Sequence, residues 1–259
     1  MSLYLRQVAF VAEKLQPVVD DLRSILGLEV CYVDEEVGAF GLENSLLPIG
    51  TNFIEVVAPI RAGTAGERYL KRRDGDGGYM VITQADGPDD QLAHRTRAEQ
   101  LGIRVAWDHE HKSGRFMQLH PADTGGAFFE IDYAVANDPL GDWPPAGGGG
   151  WEKFVRNEFV HAITAVELQS SDPTTLAKRW SAIAATELNR DGGDRIVLPL
   201  RNAEIRFVEE VDGRGEGLSA VDLEVQDVKS VLIKAEKRGA STGEARVTIG
   251  GVRLNLVAK

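Results

Sequence analysis

TGGAFFEIDY (124–133) and IGGVRLNLVA (249–258) align with no gap: a glycine pair, then a run in which apolar and polar residues alternate. Alternation of period two is the mark of a half-buried strand, and the alignment sets Glu130 opposite Asn255. Outward from these ends the correspondence persists. Gln7 precedes Leu22 by the same interval as Ala165 precedes Trp180. A chain that repeats itself at this spacing is read as repeated supersecondary units before any motif is trusted.

The first unit opens with the strand LRQVAFVA (5–12). PVVDDLRSILG (17–27) follows, with Val18, Leu22, Ile25 and Leu26 at helical spacing and Gly27 as the stop. Its remaining strands are expected at LEVCYV (28–33), GAFGLE (38–43) and NFIEVVAP (52–59). The second unit runs YMVITQA (79–85), the helix DDQLAHRTRAEQLG (89–102), and strands IRVAWD (103–108), RFMQLH (115–120) and AFFEIDYA (127–134). In the second half, strand ITAVELQS (163–170) leads to DPTTLAKRWSAIAA (172–185), with Asp172 as N-cap and Pro173 at the first helical position. IVLPL (196–200) and AEIRFVEE (203–210) are strands, and the last unit holds LSAVDLEV (218–225), DVKSVLIKAEKRG (227–239) and GVRLNLVAK (251–259). The pattern is four βαβββ modules of an α+β protein. NDPLGDWPPAGGGGW (137–151) disfavours both helix and central strand. The expected domains are therefore residues 1–136 and 158–259, with a Pro/Gly-rich linker at 137–157.

Composition removes several function classes. Forty acidic against 29 basic residues give a net charge of −11, which repels a polyphosphate backbone, so no nucleic-acid partner is expected. LKRR (70–73) is the basic exception and reads as a solvated helix end or loop. No apolar run reaches the roughly 18 residues that span a bilayer, and MSLYLRQVAFVAEKLQ has no signal-peptide layout. The lone Cys31 fits a reducing compartment. The expectation is a cytoplasmic protein without a membrane partner, compatible with a homodimer.

ERYLKRRDGDGGYMVI (67–82) and LHPADTGGAFFEI (119–131) resemble segments of methylmalonyl-CoA epimerase, and with the repeated module order the chain is identified as a member of the vicinal-oxygen-chelate (glyoxalase/bleomycin resistance/dioxygenase) superfamily. The resemblance implies two domains, each a cupped mixed sheet made of paired modules. It also implies a divalent metal (Mg²⁺, Mn²⁺, Zn²⁺ or Ni²⁺) held by the first and last strands of partnered units. Those positions here are Gln7, Glu55, Met80 and Glu130. Gln-Glu-His-Glu is the set of one glyoxalase I branch, so Gln7, Glu55 and Glu130 are expected metal ligands and Met80 departs from the pattern. Its thioether is soft and suits such ions poorly. The equivalent second-half positions read Ala165, Arg206, Ala220 and Asn255, which is no metal set.

With a metal, the resemblance implies a glyoxalase-like lyase or isomerase acting on a small alpha-hydroxy or alpha-oxo carbonyl compound. Glu130 and Glu55 are the catalytic candidates, one of them removing a proton alpha to the carbonyl. Without a metal, two carboxyls in one poorly solvated cup raise one apparent pKa. The alternative function is then metal-free binding or sequestration of a small molecule. Tyr79, Met80 and His120 are expected around the substrate pocket. WDHEHKSGR (107–115) is expected as a polar loop whose Lys112 and Arg115 meet an anionic tail. GDGG (75–78) lacks the setting of a phosphate loop and reads as a turn. Extradiol dioxygenase chemistry needs two histidines and a carboxylate, which neither half supplies.

Overall fold

The computed structural model describes residues 3–193 and 195–259. The first half builds β1 (Tyr4–Val11), α1 (Leu15–Leu26), β2 (Leu42–Ile49), β3 (Asn52–Pro59), α2 (Ala65–Arg73), β4 (Gly77–Gln84), α3 (Pro88–Gln100), β5 (Val105–His111), β6 (Gly114–Leu119), α4 (Pro121–Thr124) and β7 (Phe128–Ala134). These strands form one mixed sheet in the order β2-β3-β1-β4-β7-β6-β5. The two modules meet at its centre, where β1 runs parallel to β3 and antiparallel to β4.

The second half repeats the plan with β8 (Val160–Ser170), α5 (Pro173–Ala184), β9 (Asn189–Arg190), β10 (Ile196–Pro199), β11 (Glu204–Glu209), β12 (Gly217–Val225), α6 (Val228–Arg238), β13 (Thr242–Gly243), β14 (Arg246–Ile249) and β15 (Val252–Ala258). Its sheet order is β13-β14-β15-β12-β8-β11-β10-β9. The α+β class and the two cupped sheets are thus what the chain forms. No helix among the described residues is long and apolar enough to cross a membrane.

Alternation explains the layers. On β7, Phe129 and Ile131 enter the large core shared by both halves, while Phe128, Glu130 and Asp132 face the other way. Phe129 stacks on Trp180 of α5 at 4.2 Å, and the Trp180 indole donates to the Thr124 carbonyl at 2.7 Å. The central strands β4 and β12 touch back to back. A Cβ on Gly78 would lie 2.5 Å from the Leu218 carbonyl oxygen, so only glycine permits that approach. A second, smaller core covers the concave face of the first sheet and holds Ala9, Val11, Leu46, Phe53, Tyr69, Tyr79, Met80 and Ile82.

Four expectations need correction. LEVCYV is not a ladder strand: it makes one bridge, Tyr32 to Leu46. GAFGLE is not a strand, because a 3-10 helix occupies Glu35–Phe40 and β2 begins only at Leu42. Asp34 caps that turn by accepting from Glu36 N, two glutamates suit its N-terminus, and Gly41 ends it at φ 73°. The basic LKRR is the last turn of α2, with Lys71 and Arg72 exposed as a solvated helix end would have them, but its final residue is not solvated. Arg73 is 2% exposed and donates to the carbonyls of Arg214, Gly215 and Glu216, while Arg214 reaches back to those of Arg73, Gly75 and Asp76. This exchange of guanidinium groups ties the halves together. Finally, WDHEHKSGR is the hairpin that its flanking strands imply, but the strands run further than expected, β5 to His111 and β6 from Gly114, which leaves little of the stretch as loop.

Candidate functional site

A cavity of about 990 Å³ opens on the concave face of the first sheet. Drug-sized ligands occupy spaces of this order. Tyr69, Tyr79, Met80 and Phe128 border one side, Trp107 and Phe116 the other, and Glu55 and Glu130 lie among them. The aromatic rings are mutually braced. Tyr79 meets Tyr69 edge-on at 4.9 Å and Phe128 at 5.0 Å.

Of the residues singled out in the sequence, Glu55, Glu130, Tyr79, Met80 and His120 all border this one cavity, and Gln7 does not. Tyr79 and Met80 both reach it because Ala9 and Phe10 of β1 pair with Met80 and Gly78, leaving Tyr79 as the extra residue of a bulge. A bulge re-aims a side chain that strict alternation would send to the opposite face. His120 caps α4 by accepting from Ala122 N at 3.1 Å. Of the hairpin residues, His109, His111 and Lys112 stand at the cavity, whereas Arg115 is engaged by Asp108 at 2.9 Å.

Glu55 is almost fully enclosed by amides. Asn44 Nδ2 donates to its Oε1 at 2.6 Å and Gln7 Nε2 to its Oε2 at 2.7 Å. The direction of both amides is dictated by chemistry. Gln7 Oε1 accepts from the Trp143 indole at 2.9 Å, and Asn44 Oδ1 accepts from the backbone N–H of Asp34 at 2.9 Å. Indole and backbone nitrogens only donate, so each amide must turn its oxygen to them and its NH2 to Glu55. Burial nevertheless raises the Glu55 pKa, with these two hydrogen bonds working against the rise.

Glu130 lies across the sheet on β7, in register with Gln118 of β6 and Ile82 of β4. Burial foremost, and the Glu55 charge in addition, raises its pKa to about 7, while hydrogen bonds from Asp132 and Gln118 work the other way. Its Oε2 is buried without a donor, as is Oδ2 of Asp132, two residues along on the same face. Asp132 is wholly enclosed, and burial with Glu130 beside it pushes its pKa well up. One proton held between the two carboxyls satisfies both.

These donors do not fit a divalent cation. Both oxygens of Glu55 and the oxygen of Gln7 are already committed, Met80 offers only a thioether, and no three His, Cys, Asp or Glu side chains converge as a ligand set among the described residues. In the second half the matching concave face is filled by charge pairs. Arg206 contacts Asp222 and lies 3.5 Å from Glu167, and Asn255 donates to Asp222 at 2.8 Å.

Asn44 and Asp132 were not foreseen in the sequence, and Trp143, expected there only as core or interdomain packing, is buried but also reaches the site. The segment read as a linker packs on the first sheet: Trp143 is fully buried, and Pro144 and Pro145 border the cavity. Arg6 secures it by donating to the carbonyls of Asp138 at 3.1 Å and Gly141 at 2.9 Å, with its guanidinium 4.7 Å from the Trp143 ring. Asn44 was hidden by the misplaced strand before it. Asp132 was readable, since residues i and i+2 share a strand face. Cys31 is half-buried, and burial lifts its thiol to about 11, which leaves it unreactive.

A family profile described as a glyoxalase-like domain matches residues 8–184. No curated protein matches the sequence. Among solved structures, the Mn(II)-bound glyoxalase from Novosphingobium aromaticivorans is similar at a TM-score of 0.69 and 15% identity, over 99% of this chain and 82% of that one. A variant of 4-hydroxymandelate synthase from Streptomyces coelicolor gives 0.64 and 16%, over 93% and 76%. A hypothetical protein from Staphylococcus aureus gives 0.62 and 12% over the full length of both chains. At these identities the likeness concerns the fold.

Proposed function

The chain belongs to the glyoxalase-like domain family, and from that premise we propose that its first-half cup is a metal-independent binding site for a small, largely aromatic compound carrying an alpha-hydroxy or alpha-oxo carbonyl group. The observation that carries this reading is the pairing of Glu55 and Glu130 in one aromatic-walled cavity, close enough for the charge on one to raise the pKa of the other. The rings supply apolar contact, and Glu130 with the Tyr79 hydroxyl supplies the few polar groups that orient a ligand.

Glu55 and Glu130 have different parts. Glu55, with both oxygens occupied by amides, is held in place and acts through its charge on Glu130. Glu130 accepts a hydrogen bond from the ligand hydroxyl. Tyr79, whose pKa burial raises, stays a phenol and offers a proton donor at the same cavity.

Proton transfer is the second reading, and the pKa of Glu130 near 7 favours it. A base of that strength is matched to neutral pH. Glu130 would take the proton alpha to the carbonyl and return it, which is isomerase chemistry with the phenol of Tyr79 facing the developing oxyanion.

The test uses 2-hydroxyacetophenone, an aryl hydroxy ketone. It should raise the melting temperature of the metal-stripped protein in a saturable way, as linkage requires, and Glu130→Gln should weaken the effect. Enzyme-dependent exchange of its alpha protons in deuterated water selects the second reading; stabilisation without exchange selects binding alone. Stabilisation only after metal is added would sink the metal-independent reading.

A further inference from the structure

We propose that Trp143 is the residue that denies the first-half cup a divalent cation, by holding Gln7 in the one orientation that turns it from a metal ligand into a hydrogen-bond donor for Glu55. The inference deepens the metal-independent reading above and rests on it.

The case begins on β1. Its pairing with β4 skips a residue between Leu5 and Gln7, and the two neighbours there, Arg6 and Gln7, both engage the 137–151 segment. Arg6 grips the Asp138 and Gly141 carbonyls and lies over the Trp143 ring. Gln7 receives the indole N–H. Trp143 is further fixed by paired backbone bonds with Gly148, N–H to carbonyl at 3.0 Å in each direction. The indole is therefore placed by Arg6 and by the backbone pairing of its own segment.

A primary amide has one oxygen and one NH2, so the direction of one decides the direction of the other. With Oε1 at the indole, Nε2 has to face Glu55, and it does so at 2.7 Å. A cation placed between Gln7 and Glu55 would meet N–H hydrogens on the Gln7 side, which repel it. To ligate, Gln7 would have to rotate and leave the indole N–H buried without an acceptor, a loss of about 1–3 kcal/mol for a buried donor. Asn44 closes the other oxygen of Glu55 in the same manner. The chain thus spends on an internal hydrogen-bond chain, Trp143 to Gln7 to Glu55, the oxygen donors that a hard cation needs.

The test is Mn²⁺ uptake, read by loss of the free-ion electron paramagnetic resonance signal, for the metal-stripped wild type, Trp143→Phe and Gln7→Glu. Phenylalanine removes the N–H and frees the amide to turn. Glutamate keeps the indole satisfied through one oxygen and offers the other beside Glu55. Expected are no uptake by the wild type and uptake of one ion per chain by both variants, lost again on adding Glu55→Gln. Uptake by none of the three overturns the role of Trp143 and leaves the metal-independent reading standing. Stoichiometric uptake by the wild type overturns both. Circular dichroism checks that each variant is folded. Should Trp143→Phe fail to fold, Gln7→Glu decides: uptake supports the block at the amide, and its absence refutes it. Uptake by Gln7→Glu with none by a folded Trp143→Phe refutes the part given to the indole.

Discussion

The indole nitrogen of Trp143 donates to Oε1 of Gln7 at 2.9 Å, across 136 residues of sequence. A segment that joins the two halves in sequence thereby reaches into the polar row of the first sheet. Both groups are buried, so neither finds water if the other is removed. Trp143→Phe should destabilise the protein by about 2–4 kcal/mol, combining a lost buried hydrogen bond with an unfilled space. Urea unfolding measures it. A change within experimental error would mean that the segment contributes nothing to the first sheet.

Arg73 offers a separate test of how the halves are joined. Its Nη1 serves three carbonyls of residues 214–216 at 2.7–2.8 Å. Arg73→Met keeps the stem and removes every donor, leaving those oxygens with fewer partners. A loss of about 2–3 kcal/mol is expected, with the second sheet becoming easier to unfold than the first. Hydrogen exchange resolves this as faster exchange in β12 than in β1. Equal slowing or equal acceleration in both would contradict the proposed clamp.

Glu130 predicts a pH dependence of stability whose sign can be worked out. Its folded pKa is raised from 4.5 to about 7. Between these values the folded state holds a proton that the unfolded state has released, so stability falls as pH rises through that window. Burial raises the pKa values of Asp132 and Glu55 as well. Glu130→Gln should therefore weaken the fall without abolishing it, and should leave the variant more stable than wild type above pH 7, by on the order of 1–3 kcal/mol. Thermal unfolding of both proteins across the window checks it. A wild type that gains stability over the same range would show that the carboxyl is not held protonated.

Gly126 lies at φ 83°, and a Cβ there would sit 2.0 Å from the Glu216 carbonyl oxygen. Gly126→Ala should cost about 2 kcal/mol or more through strain and overlap. Calorimetry on the variant reads this directly; an unchanged melting temperature would mean that the two backbones are free to separate there.

Much of the fold was legible because its signals are local and redundant. The glycine pairs before β7 and β15, the N-cap Asp172 and the stop at Gly27 each mark a boundary by themselves. The misread stretch 28–43 carried β-prone residues but lacked a partner strand, and pairing is a tertiary property that composition does not report. Helix α2 was expected only as a helix end or loop around LKRR, although its start is marked by Thr64, whose Oγ1 accepts from Glu67 N at 3.0 Å, while Glu67 accepts from Gly63 N at 2.5 Å.

The site was legible in part. Glu55 and Glu130 stand at equivalent strand positions, and the repeat exposes that equivalence. What the repeat could not expose is the state of Gln7, which depends on Trp143 from a segment with no counterpart in the module. Nor could it expose Asn44, whose strand begins after an irregular turn. Side chains that act through distant partners leave no period in the sequence.

Met80 borders the cavity while Met117 is buried in the large core, and the only other methionine is Met1. Methyl resonances of methionine therefore report on the cup separately from the rest of the protein. Titrating 2-hydroxyacetophenone into metal-stripped protein should move the Met80 methyl in a saturable way and leave Met117 unmoved. In Glu130→Gln the midpoint should shift to about tenfold higher concentration or more, the equivalent of one lost charged hydrogen bond. An unmoved Met80 methyl at every concentration, or an identical midpoint in the variant, would contradict a small-molecule site built around Glu130.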